Sequence, residues 1–119
     1  MAKHFDLGKK GEELAIAFLL EKGYVILEKN YRFLKAEVDI IAQKENDLVA
    51  VEVKTRSSEV FGNPQDFVNK KKIQLLVSAL DHYVIEKNLD VNVRFDIIAI
   101  LNQKSTFTID HIEDAFLYF

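Results

Sequence analysis

Residues Ala36 to Lys54 read AEVDIIAQKENDLVAVEVK, two short apolar runs joined by a polar turn, with Asp39, Glu52 and Lys54 set among the apolar positions. The runs have the length and β-branched content of strands, and Lys44-Glu45-Asn46-Asp47 has the polarity of the loop between them. A strand with a purely structural purpose would carry Val, Ile or Thr where these charges stand. The pattern predicts strands over Ala36–Gln43 and Leu48–Thr55, paired as a hairpin.

With Lys44 to Asp47 as the loop, Gln43 faces Leu48, Asp39 faces Glu52 and Glu37 faces Lys54. Two-residue alternation then gathers Glu37, Asp39, Glu52 and Lys54 on one face and Val38, Ile40, Val49, Val51 and Val53 on a core face. Carboxylates about 5 Å apart repel by on the order of 3 kcal/mol at an effective dielectric near 20, and by under about 1 kcal/mol in bulk water. A divalent cation between them reverses the sign, and Mg²⁺ is commonly held by one or two carboxylates and several waters. The same spacing also fits a solvated face with a Glu37–Lys54 ion pair and the two acids relaxed apart. A register slip of one residue would undo the alignment.

The rest of the chain frames this hairpin. A helical pattern runs from Asp6 to Lys22, with Leu7, Gly11, Leu14 and Phe18 on one stripe, widened by Ala15, Ile16 and Leu19. Gly23 is placed to end it in the left-handed conformation. Tyr24–Arg32 is a first strand. After the third strand, Asn63-Pro64-Gln65-Asp66 has the signature of a helix start, and that helix carries Val68, Leu75, Leu76, Ala79, Leu80 and Tyr83 to about Asn88. "VNVRFDIIAIL" (Val91–Leu101) and "TFTIDHI" are further strands. The connection from the third strand through the long helix to Val91–Leu101 suits a parallel crossover. The chain is therefore expected to be one α/β domain over residues 1–119, with a mixed sheet flanked by helices in the order αβββαβ plus a C-terminal strand.

Composition narrows the function. No run nears the ~20 apolar residues of a membrane span, and charges recurring from Lys3 to Glu13 leave no signal-peptide core. With no Cys there is neither a disulfide frame nor a thiolate metal site, and the expected location is the reducing cytoplasm. A net charge of −3 argues against gripping nucleic acid by bulk charge, while leaving room for a local basic patch at Lys54, Arg56 and Lys70-Lys71-Lys72. The lysine run also reads as a solvated helix start. His4, His82 and His111 share no ligand spacing. Arg94 and Asp96 fall on one strand face and are expected to pair.

In "GKKGEELA", Glu13 has Lys9 and Lys10 one turn back, the setting of an exposed acid. Glu12 has Gly8 one turn back and Ala15 and Ile16 one turn ahead, so it borders the buried stripe over a spot cleared by Gly8 and Gly11. A carboxylate there needs a partner: a metal-bound water, a lysine of the sheet or a structural salt bridge.

An acid on the first helix, Asp on one strand and Glu-x-Lys on the next resemble, in this order, the PD-(D/E)xK nuclease superfamily. More closely the chain resembles the YraN-like family, small bacterial proteins related to archaeal Holliday-junction resolvases. The likeness lies in "GKKGEELAIAFLLEKGYVILEKNYR", "AEVDIIA", "VAVEVKTRSSEVFGNP", "RFDIIAI" and "HIEDAF", five motifs in order over nearly the whole length. It implies a restriction-endonuclease-like fold and a tetrad of Glu12, Asp39, Glu52 and Lys54. Asp39, Glu52 and the Val53 carbonyl would bind Mg²⁺ (or Mn²⁺), and Lys54 would orient the attacking water. Ala36 in place of the family's usual Gly, and Val38 where the superfamily often has Pro, remove no ligand but alter the approach to Asp39.

The implied activity is metal-dependent hydrolysis of DNA phosphodiesters, structure-selective or non-specific, by a homodimer on the analogy of the resolvases. Lys72 and Arg56 are candidate DNA contacts; a snorkelling lysine and a solvated loop arginine are the plain alternatives. Two other functions compete: a nuclease-fold module that only binds nucleic acid or a protein, and a hydrolase of another phosphoester.

Overall fold

A computed structural model describes residues 6–57, 69–104 and 106–118. Helix α1 (Leu7–Glu21) leads into strands β1 (Val25–Phe33), β2 (Ala36–Lys44) and β3 (Asp47–Arg56). Helix α2 (Lys70–Glu86), β4 (Asn92–Gln103), β5 (Thr106–Ile112) and a short 3-10 turn (Ala115–Tyr118) complete the order. The mixed α/β architecture is the one expected.

Each helix is delimited by local chemistry. Asp6 caps α1, its side chain accepting from the Lys9 N–H at 3.0 Å. At the other end Gly23 takes φ +95, and the N–H groups of Gly23 and Tyr24 donate to the carbonyls of Leu20 and Leu19, which closes the helix with a paired C-terminal motif. Helix α2 ends the same way, with Asn88 at φ +53 in the glycine position.

The start of α2 corrects the sequence expectation. The helix bearing Leu75 to Tyr83 begins at Lys70, capped by Asn69, whose side chain accepts from the Lys72 N–H at 2.8 Å. Asn69 is extended (φ −104, ψ 174), so no helix runs unbroken through it from Asn63. The expected start at Asn63–Asp66, and Val68, lie outside the described residues.

The five strands lie in sequence order, β1-β2-β3-β4-β5. Only β3 and β4 are parallel, in register from Asp47↔Asn92 to Arg56↔Leu101, as the long crossover requires. Helix α1 covers one face, over a core of Ala15, Leu19, Ile40, Ala42, Val49, Val51, Ile98 and Ile100. Helix α2 covers the other, over Val38, Ile41, Leu48, Ala50, Leu76, Ala79, Leu80 and Tyr83. A sheet buried on both faces accounts for the near-continuous apolar runs in β2, β3 and β4.

The expected register holds from Gln43↔Leu48 to Ile40↔Val51, but the ladder stops there, so the expected Asp39–Glu52 and Glu37–Lys54 pairings are not formed. The turn is tighter than the four-residue loop, with Lys44 and Asp47 themselves paired and Glu45 at φ +54. The expected division of faces fails at two points. The carboxylate face is itself core farther along, at Ile41, Leu48 and Ala50. Val38 also packs with Ile41 under α2, whereas Ile40 packs under α1, so alternation breaks between Val38 and Ile41, around Asp39.

The pairing on either side is irregular too, and the β1–β2 register shifts between Ile26 and Glu28. The β2–β3 ladder ends at Ile40↔Val51, while β2 stays paired with β1 out to Phe33↔Ala36. Asn30, between the Lys29↔Ile40 and Tyr31↔Val38 pairs, sits at φ +53, a region that Asn tolerates better than most residues. The sheet therefore opens at Asp39, between β2 and β3. Leu34, in the two-residue turn between β1 and β2, holds φ +55, at a cost of about 1 kcal/mol for a residue with a Cβ.

Gly11 sets the distance from α1 to β3, since a Cβ there would overlap the Thr55 side chain at Oγ1. Gly8 is exposed and a Cβ there would meet only Asp6, so Gly8 clears no space for Glu12 as had been expected. Gly11→Ala should destabilise the protein by about 1–3 kcal/mol through overpacking, despite the better helix propensity of Ala. Thermal melts should show the loss, with partial recovery in the Gly11→Ala/Thr55→Ala double variant; an unchanged melting temperature in Gly11→Ala would refute the close packing.

Candidate functional site

The opening of the sheet collects most of the charged residues singled out in the hairpin. Glu52, on the middle strand, is only 4% exposed. Its Oε2 takes the ammonium of Lys72 at 2.6 Å and that of Lys54 at 3.1 Å. Its Oε1 is buried with no hydrogen-bond partner among the described residues. Lys54 lies two residues along the same strand and so shares its face; Lys72 comes from the first turn of α2, where the Asn69 cap aims it back at the sheet. The expected Glu37–Lys54 pair is absent. Glu37 instead pairs with Arg32 at 3.3 Å, because β2 leaves β3 before reaching Glu37.

Asp39 reaches the same place from β2. Its Oδ2 accepts from the Val53 backbone N–H at 2.8 Å, so the side chain bridges to β3 where the ladder has ended. Burial, and next the neighbouring charge of Glu52, push the Asp39 carboxyl up to about 7; the Val53 N–H and Lys72 pull less strongly the other way. Lys72 moves upward too: burial works against its charge, but the hydrogen bond and charge of Glu52 outweigh it. Asp39 and Lys72 both line a cleft of about 370 Å³ between the β1–β2 turn and the start of α2, together with Lys35, Glu37, Asn69 and Lys71.

Glu12 stands apart from this group. It is half-buried on α1 and lines a separate pocket of about 180 Å³ with Lys9, Glu13, Ile16, Lys29 and Asn30. Burial raises its carboxyl, opposed by a hydrogen bond with the Asn30 side chain and reinforced by the charges of Glu37, Asp6 and Glu52. Its polar neighbour on β1 is Asn30, which lines the same pocket. Glu12 feels the Asp39–Glu52 centre through charge and not through contact. Arg56 is exposed at the end of β3, with Nη1 donating to the Thr55 carbonyl at 2.8 Å.

Among the described residues no three His, Cys, Asp or Glu side chains gather as a metal-binding group. Two carboxylates with water suffice for Mg²⁺, and this pair fits a hard cation on two grounds. Glu52 Oε1 is buried with unused acceptor capacity, and the charge of Glu52 disfavours the ionised state of Asp39. The basic residues of the cleft escaped sequence reasoning in part: Lys71 had been weighed only within a lysine run, and Lys35 carries no signal beyond a position before the strand.

A second polar cluster lies on β4. Arg94 Nε and Nη2 donate to both oxygens of buried Asp96 at 2.9 Å, the expected pair. His111 Nε2 sits 2.8 Å from Asp96, and the Tyr24 hydroxyl accepts from Arg94 at 2.6 Å. Burial opposes ionisation of Asp96, but the bonds from His111, Arg94 and the Asp114 N–H together hold its carboxyl below the usual range. No helix of the described residues is long and apolar enough to cross a membrane.

Sequence comparison adds the kinship. A family model described as "Uncharacterised protein family UPF0102" matches residues 11–100, a span that includes Glu12, Asp39, Glu52, Lys54 and Lys72. A UPF0102 protein of Christiangramia forsetii is 64% identical over 119 residues, covering all of both chains. One of Flavobacterium psychrophilum is 62% identical over the same length, again covering all of both chains. One of Bacteroides thetaiotaomicron is 49% identical over 116 residues, 98% of this chain and 96% of its own. The YraN-like kinship inferred from the motifs is thereby established at the level of the family: the chain belongs to UPF0102.

Proposed function

We propose that the protein is a metal-dependent endonuclease that hydrolyses DNA phosphodiester bonds at the Asp39–Glu52 centre. The observation that carries this reading is Glu52: a buried carboxylate with one oxygen fixed by two ammonium groups and the other unpartnered, beside a second acid raised to about 7. A structural ion cluster has no need of the second acid. The order of elements and the family resemblance support the same reading.

Asp39 and Glu52 would hold Mg²⁺ or Mn²⁺, with the Val53 carbonyl as the further ligand that the resemblance implies. The ion supplies, when bound, Lewis-acid polarisation of a phosphate oxygen. Lys72 fixes the Glu52 carboxylate through Oε2, while Oε1 keeps its acceptor capacity unused. Lys54, 3.1 Å from the same carboxylate, is placed to orient the attacking water and to offset charge growing on the phosphate. Water adds to phosphorus, the bond to the leaving sugar oxygen breaks, and that oxygen takes up a proton. Glu12 acts at longer range, through water, and Arg56 contacts the DNA backbone.

The direct test is nicking of supercoiled and branched DNA with Mg²⁺ or Mn²⁺. Asp39→Ala and Lys54→Ala should each lose on the order of 10²-fold or more in rate, and calorimetry should show no Mn²⁺ uptake in Glu52→Gln. A wild-type protein that takes up metal yet cleaves no DNA would instead be a binding module. Cleavage that survives in Asp39→Ala would place the chemistry elsewhere.

The raised carboxyl of Asp39 gives a second prediction. A folded-state value near 7 against an ordinary 3.8 means the metal-free fold loses stability as pH rises through that interval, because the unfolded chain gives up the proton first. Asp39→Asn keeps an acceptor for the Val53 N–H and removes the repulsion. In EDTA it should melt several degrees above wild type at pH 8 and level with it near pH 4, while its cleavage is lost. A variant melting below wild type at pH 8 would show that Asp39 is a stabilising residue.

A further inference from the structure

The turn from β1 to β2 exposes an apolar side chain on a backbone that disfavours it. Leu34 is 86% exposed, more than any other large apolar residue described, and it holds φ +55 between the paired residues Phe33 and Ala36. Gly or Asn would relax the backbone and remove the apolar surface together, so folding does not account for a leucine here.

The surroundings point to a polyanion. Lys35 follows in the turn, and Lys35, Lys71 and Lys72 line the cleft that runs to Asp39. Lys35 and Lys71 have no ion-pair partner among the described residues, and the one acid near the turn, Glu37, is taken by Arg32. From Leu34 to Asp39 is about 16 Å of extended chain at ~3.3 Å per residue, or about five base-pair steps of duplex. An exposed apolar tip flanked by unpaired ammonium groups suits a wedge into a base stack held by its backbone phosphates.

We propose that Leu34 stacks on a base pair left open at a branch or strand end of DNA, while Lys35 and Lys71 hold the adjoining phosphates. This rests on the nuclease reading of the Asp39–Glu52 centre and names the DNA feature that centre selects.

The test compares binding, in EDTA, of a splayed-arm DNA and a linear duplex of the same sequence, with 2-aminopurine at the branch-point pair. Leu34→Gly should melt no lower than wild type and keep the affinity for linear duplex. It should bind the splayed arm about tenfold more weakly, the loss expected for one partly buried leucine. Wild type and Leu34→Met should change the 2-aminopurine emission on binding, and Leu34→Gly should not. If wild type cleaves DNA but Leu34→Gly keeps the full branch preference, the wedge is wrong and the nuclease reading stands. If Leu34→Gly only converts a dimer to monomer in sedimentation, the turn is a contact between copies and the wedge is likewise wrong. Neither binding nor cleavage by wild type would sink both.

Discussion

A carboxylate can sit in the central strand of a sheet covered on both faces only if opposite charge is brought to it, and Glu52 meets that condition through two ammonium groups on one oxygen. Much of the surrounding structure serves this contact. The Asn69 cap starts α2 where Lys72 faces β3, the approach of α1 at Gly11 fixes the height of the strand at Thr55, and the flanking β4 seals its other side. Replacing Lys72 by an apolar residue would leave Lys54 as the sole cation on Glu52.

The opening of the sheet is the second determinant. Because β2 joins β3 only from Ile40 onward, the Asp39 side chain rather than its backbone spans the gap to Val53. On β1, next to this opening, Asn30 takes a left-handed conformation and lines the pocket of Glu12. The accumulation of unfavourable terms around Asp39 is characteristic of a site shaped for something other than stability.

Much of this was legible in the residues. The polar stretch Lys44–Asp47 between two Val- and Ile-rich runs marks the turn and suggests the register, which a one-residue slip would have changed; Gly23 and the Arg94–Asp96 pair follow from local geometry. The break at Asp39 was not legible, because two-residue alternation presumes a regular strand. Nor was the start of α2 at Lys70: Asn63 and Asn69 are equally good caps by type, and residue type does not show that Asn69 is extended. Lys72 shows the limit most plainly. Its position on the helix was clear, but its aim at Glu52, 20 residues away, depends on how α2 crosses the sheet. His111 meeting Asp96 is a tertiary contact with no local signature.

The single parallel pairing also has a temporal side. Asp39, Glu52 and Lys54 become neighbours through a two-residue turn, a local pairing, whereas β4 joins β3 across a separation as long as that from Asp47 to Asn92. Non-local contacts form later on average, since loop closure must be met before they return anything. Forming in that order, the hairpin would hold Glu52 against Lys54 before α2 brings Lys72 to it. The centre is then complete only once the long crossover has closed, since Lys72 lies within it in sequence.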